Sequence, residues 1–275
     1  METSEEIENS AILKCFATYS TKLNHSYDKY ESIYKMNRDL NRESKKIICT
    51  LHRIPGCAVA EQELCLKESE EQLSMVQASL ITSIAKLLDG EALHQYSPAH
   101  ASGIEEYLEA LLFYSFLKKN FILSFEQVCC FMNGDVPLSS FFEISSYAAE
   151  PPQVLSSSSA KPVSSCTHSA AKMVSFDAYI LGLSDVSGEL MRYFIKCAGV
   201  GEVEKSALVV QCLRQMNAGY GSLQAPAPSL KNKIAVHRRN LAKVEEINYN
   251  LNLRRSELPH CGTNILLTDF EDDFV

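Results

Sequence analysis

Four carboxylates stand in two pairs at helical spacing, Glu106 with Glu109 and Asp185 with Glu189. The second pair lies in an apolar run over residues 176–200, where Tyr179, Leu183, Val186, Leu190 and Phe194 recur at threes and fours, the period of a helix with one buried face. Asp185 and Glu189 therefore fall one turn apart on the same side. Like charges so placed repel by roughly a few tenths of a kcal/mol in water and by more when buried, so a positive group is expected between them. Glu106 and Glu109 pose the same problem on an earlier apolar helix. The competing expectation is that each pair is a solvated helix face, the ordinary place of acidic side chains.

The elements that must carry these acids are bounded by the composition. With 275 residues, 46% of them apolar, the chain can bury a sizeable core as one large helical domain or two smaller ones. It has no window near 18 uninterrupted apolar residues, and its acidic start resembles no signal peptide; an intracellular, cytoplasmic chain is expected. The ten cysteines show no C-x-x-C spacing, and several, such as Cys15, Cys49, Cys129, Cys197 and Cys212, sit in apolar helical patterns. They read as reduced thiols rather than a zinc site. A net charge of −8 and a pI near 5.5 argue against a free-standing nucleic-acid binder, so any nucleic acid must meet a local basic patch or one built with a partner chain.

Periodicity predicts an all-α bundle of long, mostly antiparallel helices. The first spans residues 12–53, with Ile12, Phe16, Tyr19, Leu23, Tyr27, Tyr30 and Tyr34 leading to Leu40, Ile47, Ile48 and Leu51, and no proline before Pro55. Further helices are expected over 61–88, with a stripe of Leu73, Val76, Leu80, Ile84 and Leu87, and over 98–119, with Ala101, Ile104, Leu108 and Leu111 inward. Ser124 and Gln127 form the pattern of a capping box opening a short helix. Residues 135–172, rich in serine and proline, read as a disordered insertion with some local packing near Leu138 to Tyr147. Helix resumes over 175–198, 203–217 and 229–257; in the last, His237 and Asn248 interrupt the apolar stripe, more as register-setting residues than as ligands. Residues 1–11 read as a flexible start, 12–259 as the helical domain and 260–275 as an acidic tail.

Several stretches, in this order, resemble the translin family, and within it the branch that associates with translin rather than translin itself. They are Tyr27 to Tyr30 through Arg38-Asp39 and Glu43 to Lys45 to Leu51-His52-Arg53-Ile54; Gly103 to Ala110; Tyr179 to Gly182 through Asp185 and Gly188 to Arg192, then Leu213-Arg214-Gln215; and Leu241 to Glu245 with Ser256 to Pro259. The resemblance implies a seven-helix fold, assembly with translin into a hollow hetero-oligomer, and a Mg²⁺-dependent endoribonuclease whose catalytic carboxylates belong to this subunit. It would clip the passenger strand during silencing-complex activation and process other RNAs. The family's acidic motifs map onto Glu106, Glu109, Asp185 and Glu189.

Carboxylate oxygens suit Mg²⁺, and an ion so held can activate water and stabilise charge on a phosphodiester. The expected roles are Glu109 and Glu189 as direct ligands, with Glu106 and Asp185 completing the site and orienting water. Glu105 reads as solvated surface. A di-iron site would need a histidine three residues after a glutamate on two helices, and neither acidic helix has one. Candidate contacts to single-stranded RNA or DNA are Arg192, Arg214, Lys231, Lys233, Arg238 and Arg239. The family's usual acidic residue before the tyrosine of the central motif is here Ala178, with Asp177 one place back. Nuclear residence follows from the resemblance only, since no basic import run is present. The alternative function is a non-catalytic subunit that stabilises translin and tethers other proteins.

Overall fold

The structure, a computed structural model, describes residues 11–143 and 169–257. The expected starting segment over residues 1–10, the middle of the serine-rich insertion (144–168) and the tail (258–275) lie outside the described residues.

All described regular structure is helical. Helix α1, Ala11–Leu51, is 41 residues long, about 60 Å at 1.5 Å per residue. Helix α2, Val59–Val76, runs through a π-helical turn, Gln77–Ile81, into α3, Thr82–Leu88. Helix α4 is Leu93–Lys119 and α5 is Phe125–Met132. Two short pieces follow, α6, Ser140–Glu143, and α7, Ser169–Met173. The chain then forms α8, Phe176–Gly199, α9, Val203–Gly221, and α10, Pro228–Glu257. Taking α2 to α3 as one bent helix and setting the two short pieces aside, seven helices of two turns or more remain among the described residues, as expected. The two described ends of the insertion pack: Leu138 and Phe142 are buried, as are Ala170 and Met173.

Helix α4 is the axis of the bundle. It lies between α1 and α8, and α8 in turn packs against α9 and α10. From Tyr107 to Phe116 every residue of α4 is buried, so this segment is enclosed on all sides rather than along the single stripe its periodicity suggested. Close approach on both flanks makes this possible. A Cβ at Gly182 of α8 would lie 2.9 Å from the Leu108 Cβ and 3.0 Å from the Glu105 carbonyl oxygen. At Gly103 the Asn37 side chain of α1 occupies the space a Cβ would need, its Oδ1 accepting from the Gly103 N–H at 2.8 Å.

Four sequence expectations are corrected. Helix α4 begins at Leu93, not at Pro98; the proline removes one helical N–H donor, but it and His94, whose carbonyl loses that donor, are both exposed. Helix α9 continues through Gly219 to Gly221 because Tyr220 is anchored: it is buried, shares a 2.9 Å hydrogen bond with Ser184 and packs edge-on against His237. The stripe of α2 and α3 shifts by one position after the π-turn, so that Ile81 and Leu88 are buried while Leu80 and Leu87 are half-buried. Finally, the apolar pattern of α1 enters the core only from Ile33; Ile12, Phe16, Leu23 and Tyr27 are each more than 60% exposed.

Smaller features follow the sequence. The Ser124 Oγ accepts from the Gln127 N–H, whose side chain accepts in return from the Ser124 N–H at 2.8 Å, and the Ser175 Oγ caps α8 by accepting from Ala178. His237 is fully buried, its Nε2 3.1 Å from the Leu213 carbonyl; it is a packing residue between α9 and α10. Cys65 and Cys197 are buried, but Cys15 and Cys49 are exposed, so those two are not the small core hydrophobes their pattern suggested. No helix among the described residues is long and apolar enough to cross a membrane.

Since Gly182 has no room for a side chain against α4, Gly182→Val should destabilise the chain by about 1–3 kcal/mol, the usual cost of forcing extra volume into a packed core. Urea unfolding should show a lower midpoint with an unchanged slope, and Gly219→Val, where nothing lies within 4 Å of the glycine, should cost less than Gly182→Val.

Candidate acidic active site

The enclosed segment of α4 carries a carboxylate. Glu109 is only 8% exposed, and it is made part of the core by the residues around it, since both neighbours Leu108 and Ala110 are buried. Burial pushes its carboxyl up to about 8, reinforced by the charges of Glu189, Asp185 and Glu106 and offset only in part by Arg192. The four acids singled out by spacing are therefore mutual neighbours: two come from α4, two from α8, and the Gly182 contact holds the helices close enough for their fields to add. Glu106 sits nearer the surface. Burial raises its carboxyl as well; Lys45 lowers it, Asp185 and Glu189 raise it, and Lys233 lowers it again.

Two cations and a histidine meet the α8 pair from three directions. The Glu189 Oε1 accepts from Arg192 one turn on, and its Oε2 pairs with the His52 Nε2 at the end of α1. The Lys196 ammonium donates to the His52 carbonyl at 3.0 Å, which ties this end of α1 to α8. Asp185 accepts from the Lys233 Nζ of α10 at 2.6 Å, and the same ammonium reaches Glu105 at 3.2 Å and the Leu181 carbonyl at 3.4 Å. Burial alone would lower the Lys233 ammonium, but the hydrogen bond and charge of Asp185, with Glu105, hold it above its ordinary value. The positive groups expected between the acids are thus partly supplied by the protein itself. Glu109, in contrast, makes no hydrogen bond or ion pair with a described residue.

The nucleic-acid candidates stand in different surroundings: Lys233 bridges Asp185 and Glu105 inside the acidic cluster, and Arg192 is held by Glu189. Glu105, read as solvated surface, is half-buried and bound to Lys233. Arg214 is paired with Glu245 at 2.7 Å, while Lys231, Arg238 and Arg239 lie exposed on α10. His52 was not singled out; the only signal was its place in the Leu51-His52-Arg53-Ile54 stretch. Glu105, Glu106 and Asp185 open into a cleft of about 480 Å³ whose other wall is Arg38, Asn41 and Lys45 of α1, with Ser102 of α4. Among the described residues no three histidine, cysteine, aspartate or glutamate side chains are gathered as a closed set of metal ligands; the α8 carboxylates are turned to Lys233, His52 and Arg192 instead.

The model of the translin family matches residues 28–255, which takes in both acidic helices and every wall of the cleft. The chain belongs to the translin family. The mouse translin-associated protein X is 32% identical over 252 residues, covering 91% of this chain and 82% of the mouse protein. The translin-associated protein X homolog of Schizosaccharomyces pombe is 22% identical over 249 residues, 88% of this chain and 89% of the yeast protein. Among solved structures, apo-NeC3PO superposes with a TM-score of 0.60 at 15% identity over 86% of this chain and 96% of its own. AfC3PO, in a complex with duplex RNA, gives 0.58 at 14% over 88% and 98%. At these identities the two structures show the same fold, and the family membership rests on the sequence.

The raised carboxyl of Glu109 gives this translin-family site a pH signature. Because its folded value, about 8, exceeds the ordinary 4.5, the folded state binds the proton more tightly than the unfolded one, and stability falls as pH rises between those limits. Glu109→Gln, neutral throughout, escapes that loss. In EDTA its melting temperature should match the parent near pH 4.5 and exceed it by an amount worth of order 1–3 kcal/mol at pH 8; a difference independent of pH would contradict the burial and crowding of this carboxyl.

Proposed function

We propose that this chain is the acid-bearing, catalytic subunit of a Mg²⁺-dependent endoribonuclease assembled with translin. The observation that carries this reading is the convergence of Glu106, Glu109, Asp185 and Glu189 on a buried carboxyl that no described cation pairs. A folded chain has little reason to hold a carboxylate there, since an aliphatic side chain would contribute about 1.5–3 kcal/mol of burial instead. The partnership is supported by the name of the 32% identical mouse relative, and nucleic acid as substrate by the translin-like fold of the AfC3PO complex with duplex RNA.

The residues present suit the ion by donor type, all hard carboxylate oxygens once deprotonated, and by the buried Glu109 carboxyl that no described residue pairs. Glu109 and Glu189 would hold it, with Glu106 and Asp185 beside them; when bound, Mg²⁺ supplies charge neutralisation and an acidified water. The chain's own groups do the rest. Without the ion Glu109 keeps a proton at neutral pH, so binding must release it and is weakened by acid. His52, held by Lys196 through its carbonyl, orients Glu189, and Lys233 fixes Asp185 toward Glu105. The cleft wall formed by α1 limits approach to one side. Cytoplasmic and nuclear residence, passenger-strand removal and other RNA processing complete the proposal.

One observation favours a second reading. With Lys233, His52 and Arg192 on the α8 acids and no closed ligand set among the described residues, the acids would instead be internal charge balance in a non-catalytic partner of translin. Cleavage of a single-stranded RNA by the co-purified assembly decides between them. Glu109→Gln and Glu189→Gln should each lower cleavage in saturating Mg²⁺ at least roughly a hundredfold with assembly by light scattering unchanged, Asp185→Asn and Glu106→Gln should behave alike, and double variants should be no worse than singles. Four single variants that cut at the parent rate would leave the second reading standing.

A further inference from the structure

The acidic cluster creates a difficulty for the substrate proposed above. A phosphodiester strand approaching Glu106, Glu109, Asp185 and Glu189 meets like charge, on a chain whose net charge is already −8, so binding requires cations placed within a few ångströms of the acids. The cations of α10 do not serve. Lys233 is spent on Asp185 and Glu105, and Arg214 of α9 on Glu245; Lys231, Arg238 and Arg239 do not line the cleft that Glu105, Glu106 and Asp185 share.

The wall facing the acids is different. Arg38, Asn41 and Lys45 follow one another at three and four residues, one face of α1, and they share the cleft of about 480 Å³ with Glu105, Glu106 and Asp185. Arg38 is exposed and has no carboxylate within 4 Å among the described residues. Lys45, 66% exposed, has only a long 3.8 Å contact with Glu106. Their neighbours are committed: Arg42 to Asp39 at 2.9 Å, and Lys46 to Glu43 at 2.9 Å. Asn41 and Lys45 also line a second cleft of about 680 Å³ that continues to Thr50, so the open face runs from residue 38 to residue 50, about 18 Å at 1.5 Å per residue.

We propose that Arg38 and Lys45 bind backbone phosphates of a single RNA strand along this face of α1, positioning it across the acids of α4 and α8. This rests on the reading that the chain acts on RNA. Arg38 has the planar fork suited to two phosphate oxygens, Lys45 a flexible point charge able to leave Glu106 as a phosphate arrives, and Asn41 between them supplies a neutral polar contact. The face selects for the backbone and not for the bases, since phosphate contacts fix position without reading sequence.

The test uses the full-length chain co-purified with its translin partner and carrying Glu109→Gln so that the probe survives, with a fluorescein-labelled single-stranded oligoribonucleotide read by anisotropy in Mg²⁺. Arg38→Gln with Lys45→Gln should weaken binding roughly tenfold at about 100 mM salt and reduce the slope of log K against log salt by about 0.7 for each contact removed. The charge-preserving Arg38→Lys with Lys45→Arg should bind within about twofold of its parent, and Lys67→Gln on α2, which carries the same charge change as Lys45→Gln away from both clefts, should leave affinity unchanged. In a parent with all four acids, Arg38→Gln with Lys45→Gln should raise KM with little effect on kcat. If that double variant binds with parental affinity and slope, the α1 track is wrong whatever the cleavage assay shows; if it loses binding while the parent never cuts, the track stands and the nuclease reading falls.

Discussion

Enclosing a carboxylate in the central helix is the constraint around which this bundle is arranged. A charged group taken from water into a packed interior costs several kcal/mol unless it is paired, and Glu109, which has no described partner, avoids that cost near neutral pH by keeping its proton, its carboxyl raised to about 8. Its helix is gripped from both sides, by Asn37 of α1 at Gly103 and by α8 at Gly182. Once α8 is pressed against α4 at Gly182, the next turns of α8 bring Asp185 and Glu189 toward Glu106 and Glu109. The acids thus form a cluster because of two missing side chains. The long apolar helices outside them provide the packing energy that a site of mutually repelling groups cannot provide for itself.

Charge is sorted by depth. Nearest the cluster, Lys233, Arg192 and His52 are tied to individual carboxylate oxygens and hold them in place. One layer out, along α1, the cations alternate between those neutralised by helical neighbours and those facing the cleft. Residue type alone does not separate these roles. What distinguishes Lys233 from Lys231, two positions away on the same helix, is that α10 turns one toward α8 and the other to solvent.

This explains which parts of the molecule were legible in the sequence. The 3.6-residue period located every long helix, because burial along one face leaves a regular trace; the capping box of Ser124 and Gln127 marked the start of α5 because its chemistry is local. The pairing of Glu106 with Glu109 and Asp185 with Glu189 was visible as spacing, and the convergence of the two pairs as a resemblance. Tertiary effects were not visible. The anchoring of Tyr220 carried α9 past two glycines, the all-round burial of residues 107–116 left no polar face to announce it, and the exposed first half of α1 has the same apolar pattern as its buried second half. The contacts of His52 and Lys233 with the acids span 137 and 48 residues, separations over which spacing carries no information.

The π-turn between α2 and α3 lets one buried stripe run on past an added residue. The buried positions Leu73, Val76, Ile81, Ile84 and Leu88 are separated by three, five, three and four residues; with one residue taken from the turn they would run three, four, three and four, an uninterrupted heptad stripe. The extra residue is housed as a bulge, and the Gln77 amide it re-aims donates to the Met132 carbonyl at the end of α5 at 2.8 Å. An ordinary helix would have passed the added rotation of about 100° down to Leu88. The helix is therefore two stretches of heptad-like spacing joined by a turn that absorbs one extra residue, so that Leu73 and Val76 before it and Ile81, Ile84 and Leu88 after it all stay on the buried side.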